Sequence, residues 1–150
     1  MRIMNRQKLG PSLFILITLL SMTPRANAQE LLGKTIKGTF SAASCLKRIC
    51  GATLHMTFNI YVSAKGHVYD FTSPEQGVEY TLGVPDSKGD VFSLNGNTLK
   101  FTMHGGKVIF AYTANGSTCS IEQINGDRRF HTQTKSQTCV VVDGVSPKEK

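Results

Sequence analysis

The chain has 150 residues, with seventeen Lys and Arg against ten Asp and Glu for a formal net charge of +7, four cysteines and no tryptophan. That length supports one hydrophobic core and is short for two domains. Four of the basic residues, Arg2, Arg6, Lys8 and Arg25, fall in the first 28 positions, so thirteen basic against ten acidic residues remain beyond them, a balance of +3 that is too mild to imply nucleic acid or an anionic membrane as a partner.

Arg2, Arg6 and Lys8 precede an apolar run over 13–20, and Pro24 is followed by Ala26, Asn27 and Ala28, a small-x-small cleavage site. This is the pattern of a secretory signal peptide over 1–28. The apolar run is short of the roughly 18 residues that span a bilayer, and no cysteine sits just past the site to carry a lipid. The expectation is a mature chain, 29–150, forming a single β domain in the periplasm or outside the cell, with no membrane span after cleavage and a fraying tail over 146–150.

Beyond that point no amphipathic helix is evident. Short alternating runs separated by turn residues about every ten positions read as all-β. Residues 35–40 are expected to open the sheet. Residues 53–63, TLHMTFNIYVS, place Leu54, Met56, Phe58, Ile60 and Val62 at every second position, the period of a strand buried on one face. A strand this long, against a usual length of about 5 to 6 residues, is expected to coil or carry a bulge.

Four hairpins follow. A two-residue loop at Lys65 and Gly66 would set Ala64 opposite His67, Val62 opposite Tyr69 and Ile60 opposite Phe71. A loop at Asn95 and Gly96, preferred over one at Gly96 and Asn97, sets Phe92 opposite Leu99. Gly105 and Gly106 set Met103 opposite Val108, Phe101 opposite Phe110 and Leu99 opposite Tyr112. Asn115 and Gly116 set Tyr112 opposite Cys119 and Phe110 opposite Ile121. Residues 78–83 read as a short strand, 85–89 as an exposed loop, 125–133 as a polar loop and 140–142 as the closing strand. The fold class expected is an antiparallel meander of about eight strands, closing as a small barrel or sandwich, with no substantial helix.

Export would deliver Cys45, Cys50, Cys119 and Cys139 to an oxidising compartment, where disulfides are the default. Three pairings are possible. Cys45 with Cys50 and Cys119 with Cys139 is favoured, because the first pair brackets a short loop and the second ties neighbouring strands. Zinc and redox spacings are absent.

His55, His67, His104 and His131 are scattered, and no nucleophile elbow or metal-binding helix accompanies them. No catalytic residue, cofactor or metal is assigned. The expectation is a non-catalytic, disulfide-stabilised binding module whose partner is a protein or a small apolar ligand. In one form Leu54, Met56, Phe58, Ile60, Phe101, Val108 and Phe110 fill the interior and loops recognise a partner; in the other the barrel holds an apolar ligand. A small secreted hydrolase using converging histidines is an alternative.

Ser63, Gly66 and Tyr69, in SAKGHVY, have the S-x-x-G-x-x-Y spacing that resembles the signature hairpin of the periplasmic and membrane-bound inhibitors of C-type lysozyme, small exported antiparallel barrels with disulfides. The resemblance covers seven residues. It implies that Ser63, and a lysine further on, enter the lysozyme cleft. The Trp-Thr-Lys-Gly segment of that family is missing, with Lys88 and Gly89 a loose counterpart. Candidate partner-binding residues are therefore Ser63, Lys65, Gly66, His67, Tyr69 and Lys88. More broadly, the LLG start, the Y-x-S-x-K-G strand end and the late T-C-S strand are similar to small uncharacterised exported β-proteins of proteobacteria.

Overall fold

The computed structural model describes residues 31–72 and 77–144. The signal peptide expected over 1–28 and the tail over 146–150 lie outside the described residues. Among those described the chain is all-β: β1 (Lys34–Leu46), β2 (Ile49–Cys50), β3 (Leu54–Val62), β4 (His67–Asp70), β5 (Val78–Thr81), β6 (Val91–Asn95), β7 (Thr98–Met103), β8 (Val108–Asn115), β9 (Thr118–Asn125) and β10 (Phe130–Asp143). The one helical turn among them is the three-residue 3-10 turn His104–Gly106.

The sheet runs β5-β4-β3-β1-β10-β9-β8-β7-β6, with β2 also on β1, and every pairing is antiparallel. Sequence neighbours are therefore neighbours around a ring that closes where β1 meets β10. The break between β5 and β6 is bridged by a hydrogen bond from Gly83 N to Phe92 O at 2.8 Å and by Tyr80 packed edge-on to Phe92, ring centroids 5.0 Å apart. The result is a nearly closed barrel. We call the end where β1 finishes and β3 begins the upper end.

The lower half is filled. Phe40, Phe58, Ile60, Val62, Val68, Phe92, Leu99 and Tyr112 are each 2% exposed or less, and Phe58 meets Tyr112 with ring centroids 5.3 Å apart. Burying each such side chain is worth about 1.5–3 kcal/mol.

Two disulfides join Cys45 to Cys50, Cα atoms 4.0 Å apart, and Cys119 to Cys139, 4.9 Å apart, the favoured pairing. The second matters more to the ring. Between β9 and β10 the ladder holds a single pair, Val140 with Thr118. Further up, the Ile121 amide donates to the Gln137 side-chain oxygen at 2.8 Å, and Asn125 Nδ2 to Thr132 Oγ1 at 2.9 Å. Side chains and a disulfide here replace backbone pairing.

Several expected registers are corrected. After β3 the loop has three residues, 64–66, not two: Ser63 N donates to His67 O at 2.7 Å, Gly66 N returns to Ser63 O at 3.1 Å, and Gly66 has φ of 85°, a turn with a glycine bulge. Val62 consequently faces Val68, Tyr69 faces Tyr61 on the opposite surface, and Ile60 faces Asp70. Asn95 and Asn115 were expected in loops, yet both end strands. The loops are Gly96 with Asn97 and Gly116 with Ser117, and only the glycine in each has positive φ. That is the II′ pattern, with glycine first, where Asn-Gly had suggested I′. Phe92 thus faces Phe101, Tyr112 faces Ile121 and Ala114 faces Cys119. The Gly105 and Gly106 hairpin has the expected register.

Strand lengths also differ. β1 and β10 run 13 and 14 residues, so much of the polar loop expected over 125–133 is strand. The expected bulge is not in β3, which pairs with β1 without a break. It is in β10, where Ser41 faces Ser136 but Ala42 faces Thr134, leaving Lys135 as the extra residue.

The turn over 126–129 is held by Arg129, whose Nε and Nη2 donate to Asp127 at 3.0 and 2.6 Å while its amide donates to Oδ1 at 3.0 Å. These side-chain and backbone hydrogen bonds, and the guanidinium charge, hold the Asp127 carboxyl down at about 2 from an ordinary 3.8. A carboxyl depressed on folding contributes order that is present above its unfolded pKa and lost as pH falls through the folded one. The Asp127 carboxyl carbon is therefore expected to titrate by NMR near 2. A midpoint at the ordinary value would show the pair broken in solution.

Candidate functional site

β4 and β5 have four residues each, and β4 covers only the lower part of β3: Val62 pairs with Val68, Ile60 with Asp70, and the Phe71 amide donates to Asn59 O at 2.8 Å, above which no strand among the described residues pairs with β3 on that side. Among the described residues no strand therefore closes the wall between the upper part of β3 and the upper part of β7. A cavity of about 360 Å³ opens there, within the size range of small-molecule sites.

Leu54 and Met56 form one lip, Met103, His104 and Val108 the other, and Phe101, Phe110 and Tyr112 the floor. Leu54 is 42% exposed although it points to the interior face. Of the residues expected to fill the barrel, Phe58, Ile60, Phe101 and Phe110 are buried in the core, whereas Leu54, Met56 and Val108 border the cavity and are less buried. Methionine on both lips suits an adaptable apolar surface.

Polar groups enter at few points. Asp70 and Thr72 lie at the lower margin, with Asp70 Oδ1 accepting from Thr72 N at 2.9 Å and from its hydroxyl. His104, at φ of 51°, is fixed on the rim by its amide, which donates to Asp90 Oδ1 at 2.7 Å. Tyr112 has its hydroxyl pKa pushed up, first by burial and then by the Asp70 charge, so it stays a neutral phenol and a potential donor.

Gln123 is the distinctive member. Asn125 Nδ2 donates to Thr132 Oγ1 at 2.9 Å, which turns Asn125 Oδ1 toward Ser44 Oγ at 3.2 Å and Gln123 Nε2 at 3.5 Å; Gln123 Nε2 also reaches Ser44 Oγ at 3.4 Å. This chain of donors leaves Gln123 Oε1 buried with no partner among the described residues. A buried acceptor left unpaired costs about 1–3 kcal/mol, and such groups mark places where another molecule can donate.

The hairpin residues singled out by sequence lie elsewhere. Ser63 is 1% exposed, its Oγ accepting from Lys65 N at 3.1 Å. Tyr69 is 8% exposed and stacks on Tyr61 with ring centroids 6.1 Å apart. His67 Nδ1 lies 3.2 Å from Glu79 Oε1, without the alignment of a hydrogen bond. Lys65 and Gly66 cap the lower end, whereas Lys88 is exposed in a separate turn held by Asp86 Oδ1, which accepts from the amides of Lys88 and Asp90 at 2.8 and 2.9 Å.

Of the four histidines only His104 lines the opening. His55 bonds Ser41 Oγ at 3.0 Å, and His131 faces Cys45 on β10. Among the described residues no group of three or more His, Cys, Asp or Glu is arranged to hold a metal ion, and no helix is long and apolar enough to cross a membrane.

Asp70 and Gln123 were missed by sequence reasoning. A signal for Gln123 existed: Cys119, Ile121, Gln123 and Asn125 share one face of β9, so two amides continue an apolar row into the barrel. Compared with known proteins, the chain matches no family model, no curated protein and no solved structure.

Proposed function

We propose that this domain binds a small amphipathic molecule in the side opening of its barrel, without catalysing its conversion. The apolar body of the ligand would lie against Met56, Met103, Phe101 and Phe110, and its head would donate a hydrogen bond to Gln123 Oε1 and accept one from the Tyr112 hydroxyl. The observation that carries this reading is the unpartnered, buried Gln123 oxygen beside an apolar cavity of about 360 Å³. Few convergent polar groups in an apolar recess are the usual make-up of a ligand site. The two disulfides and the amino-terminal residues support a location in the periplasm or outside the cell.

The test is a native mass spectrum of the protein recovered from the cells that make it. A co-purifying mass is expected, lost or bound about tenfold more weakly in Gln123→Leu, in line with one hydrogen bond to a buried group. A bare chain that also fails to take up an apolar fluorescent probe would overturn the proposal. Inhibition of C-type lysozyme is the weaker reading, because Ser63 is buried beneath its own turn. It predicts that excess protein arrests a C-type lysozyme, where a ligand binder leaves it fully active.

A further inference from the structure

The basic doublets that sequence separates by eighty residues are neighbours in space. Leu46 pairs with Ile49 on one side and with Phe130 on the other, so the turn carrying Lys47 and Arg48 lies beside the turn carrying Arg128 and Arg129. Gly126 N in the second turn donates to Lys107 O at 2.9 Å, which brings in the β7–β8 turn. These three turns hold five of the eleven Lys and Arg among the described residues and one of the seven Asp and Glu. That one acid, Asp127, is occupied by Arg129.

Between the basic turns runs an apolar row. Directly opposed residues of antiparallel strands share a face, so Leu46, Ile49 and Phe130 stand side by side, exposed to 42%, 79% and 39%. An exposed isoleucine flanked by cations combines the two contributions that hold a protein at a lipid surface, apolar insertion and attraction to anionic headgroups.

We propose that the upper end of the barrel docks on an anionic lipid bilayer, inserting Ile49 with Leu46 and Phe130 at the headgroup boundary and setting Lys47, Arg48, Lys107 and Arg128 against lipid phosphates. A nucleic acid would satisfy the cations but offer no apolar phase to the row. A second copy of the chain would oppose like charges. The modest overall charge concealed this because six of the seven described Asp and Glu lie outside these three turns, and Asp90, which accepts from the His104 amide in the third, is buried.

The experiment is flotation of the full protein with vesicles of phosphatidylcholine containing about one-third phosphatidylglycerol. Binding is expected to weaken at least tenfold on pure phosphatidylcholine, about fivefold in Arg48→Gln, as one lost contact near an anionic surface implies, and further as salt is raised. Ile49→Asp, exposed and so neutral to folding, should abolish binding, whereas Gln123→Leu should bind vesicles as the parent does, which separates this surface from the side opening. Equal binding to both vesicle types, retention by Ile49→Asp, or capture by heparin or an acidic protein without vesicle binding would overturn the proposal.

Discussion

Gly38→Ala is expected to destabilise the protein by about 3 kcal/mol or more, at or beyond the upper end of the usual cost of overpacking. A Cβ on Gly38 would lie 1.9 Å from Thr138 O, 2.7 Å from Thr138 C and 2.9 Å from Phe58 Cζ. Two of those atoms are backbone of β10 and the third belongs to a ring locked in the core, so none can swing aside. Gly38 stands on β1 between Phe58 of β3 and Cys139 of β10, where close approach of the backbones lets the sheet curve into a ring. Conformational freedom is not the issue here. Gly89→Ala is the control, since Gly89 has φ of 80° with nothing within 4 Å of its missing Cβ; it should cost about 1–2 kcal/mol. Thermal melts decide the matter, with Gly38→Ala melting near the parent as the outcome that would refute the packing argument.

Removing the Cys119–Cys139 bridge as a double alanine variant should be nearly as damaging. For a separation of 20 residues the chain-entropy estimate is about 3 kcal/mol, against about 2 kcal/mol for the separation of 5 between Cys45 and Cys50. The larger consequence is local. With one ladder pair between β9 and β10, the bridge secures the thinnest ladder among the paired neighbours of the sheet. Loss of this bridge should lower the melting temperature more than loss of Cys45–Cys50, and should raise hydrogen exchange at the Ile121 amide selectively. Equal destabilisation and uniform exchange would show that the β9–β10 seam is held by packing alone.

The lower half of the barrel was legible because its strands alternate: Phe58, Ile60 and Val62 against Val68, and Leu99 and Phe101 against Phe110 and Tyr112. Register errors of two residues at β6–β7 and β8–β9 left that face intact, since a shift of two preserves side-chain direction. The shift of one after β3 did not, and it moved Tyr69 to the outer surface. The upper half was hidden for a different reason. The end of β1, SAASCL, has small residues on both faces, and HTQTKSQT of β10, between Phe130 and Cys139, is polar throughout, with Thr132 facing the Ser44, Gln123 and Asn125 group. Neither has the apolar alternation that announces a strand. The side opening depends on β4 and β5 being short, and the basic end on β1 pairing with β10. Both are consequences of non-local geometry, so no single segment could display them.

The pairing of β1 with β10 also sets an order of assembly. As the chain emerges amino terminus first, β1 can pair with β3, and β4 and β5 can follow, but its other edge must wait until about one hundred further residues have arrived, because Lys34 meets Asp143 and Leu46 meets Phe130. Contacts of such separation form slowly and leave a thirteen-residue strand with an unpaired edge in the meantime. Nascent chains truncated before Phe130 would carry that edge permanently. The vulnerable period of this protein is therefore the interval before its last strand arrives, when β1 is most open to pairing with another molecule or to capture by a chaperone.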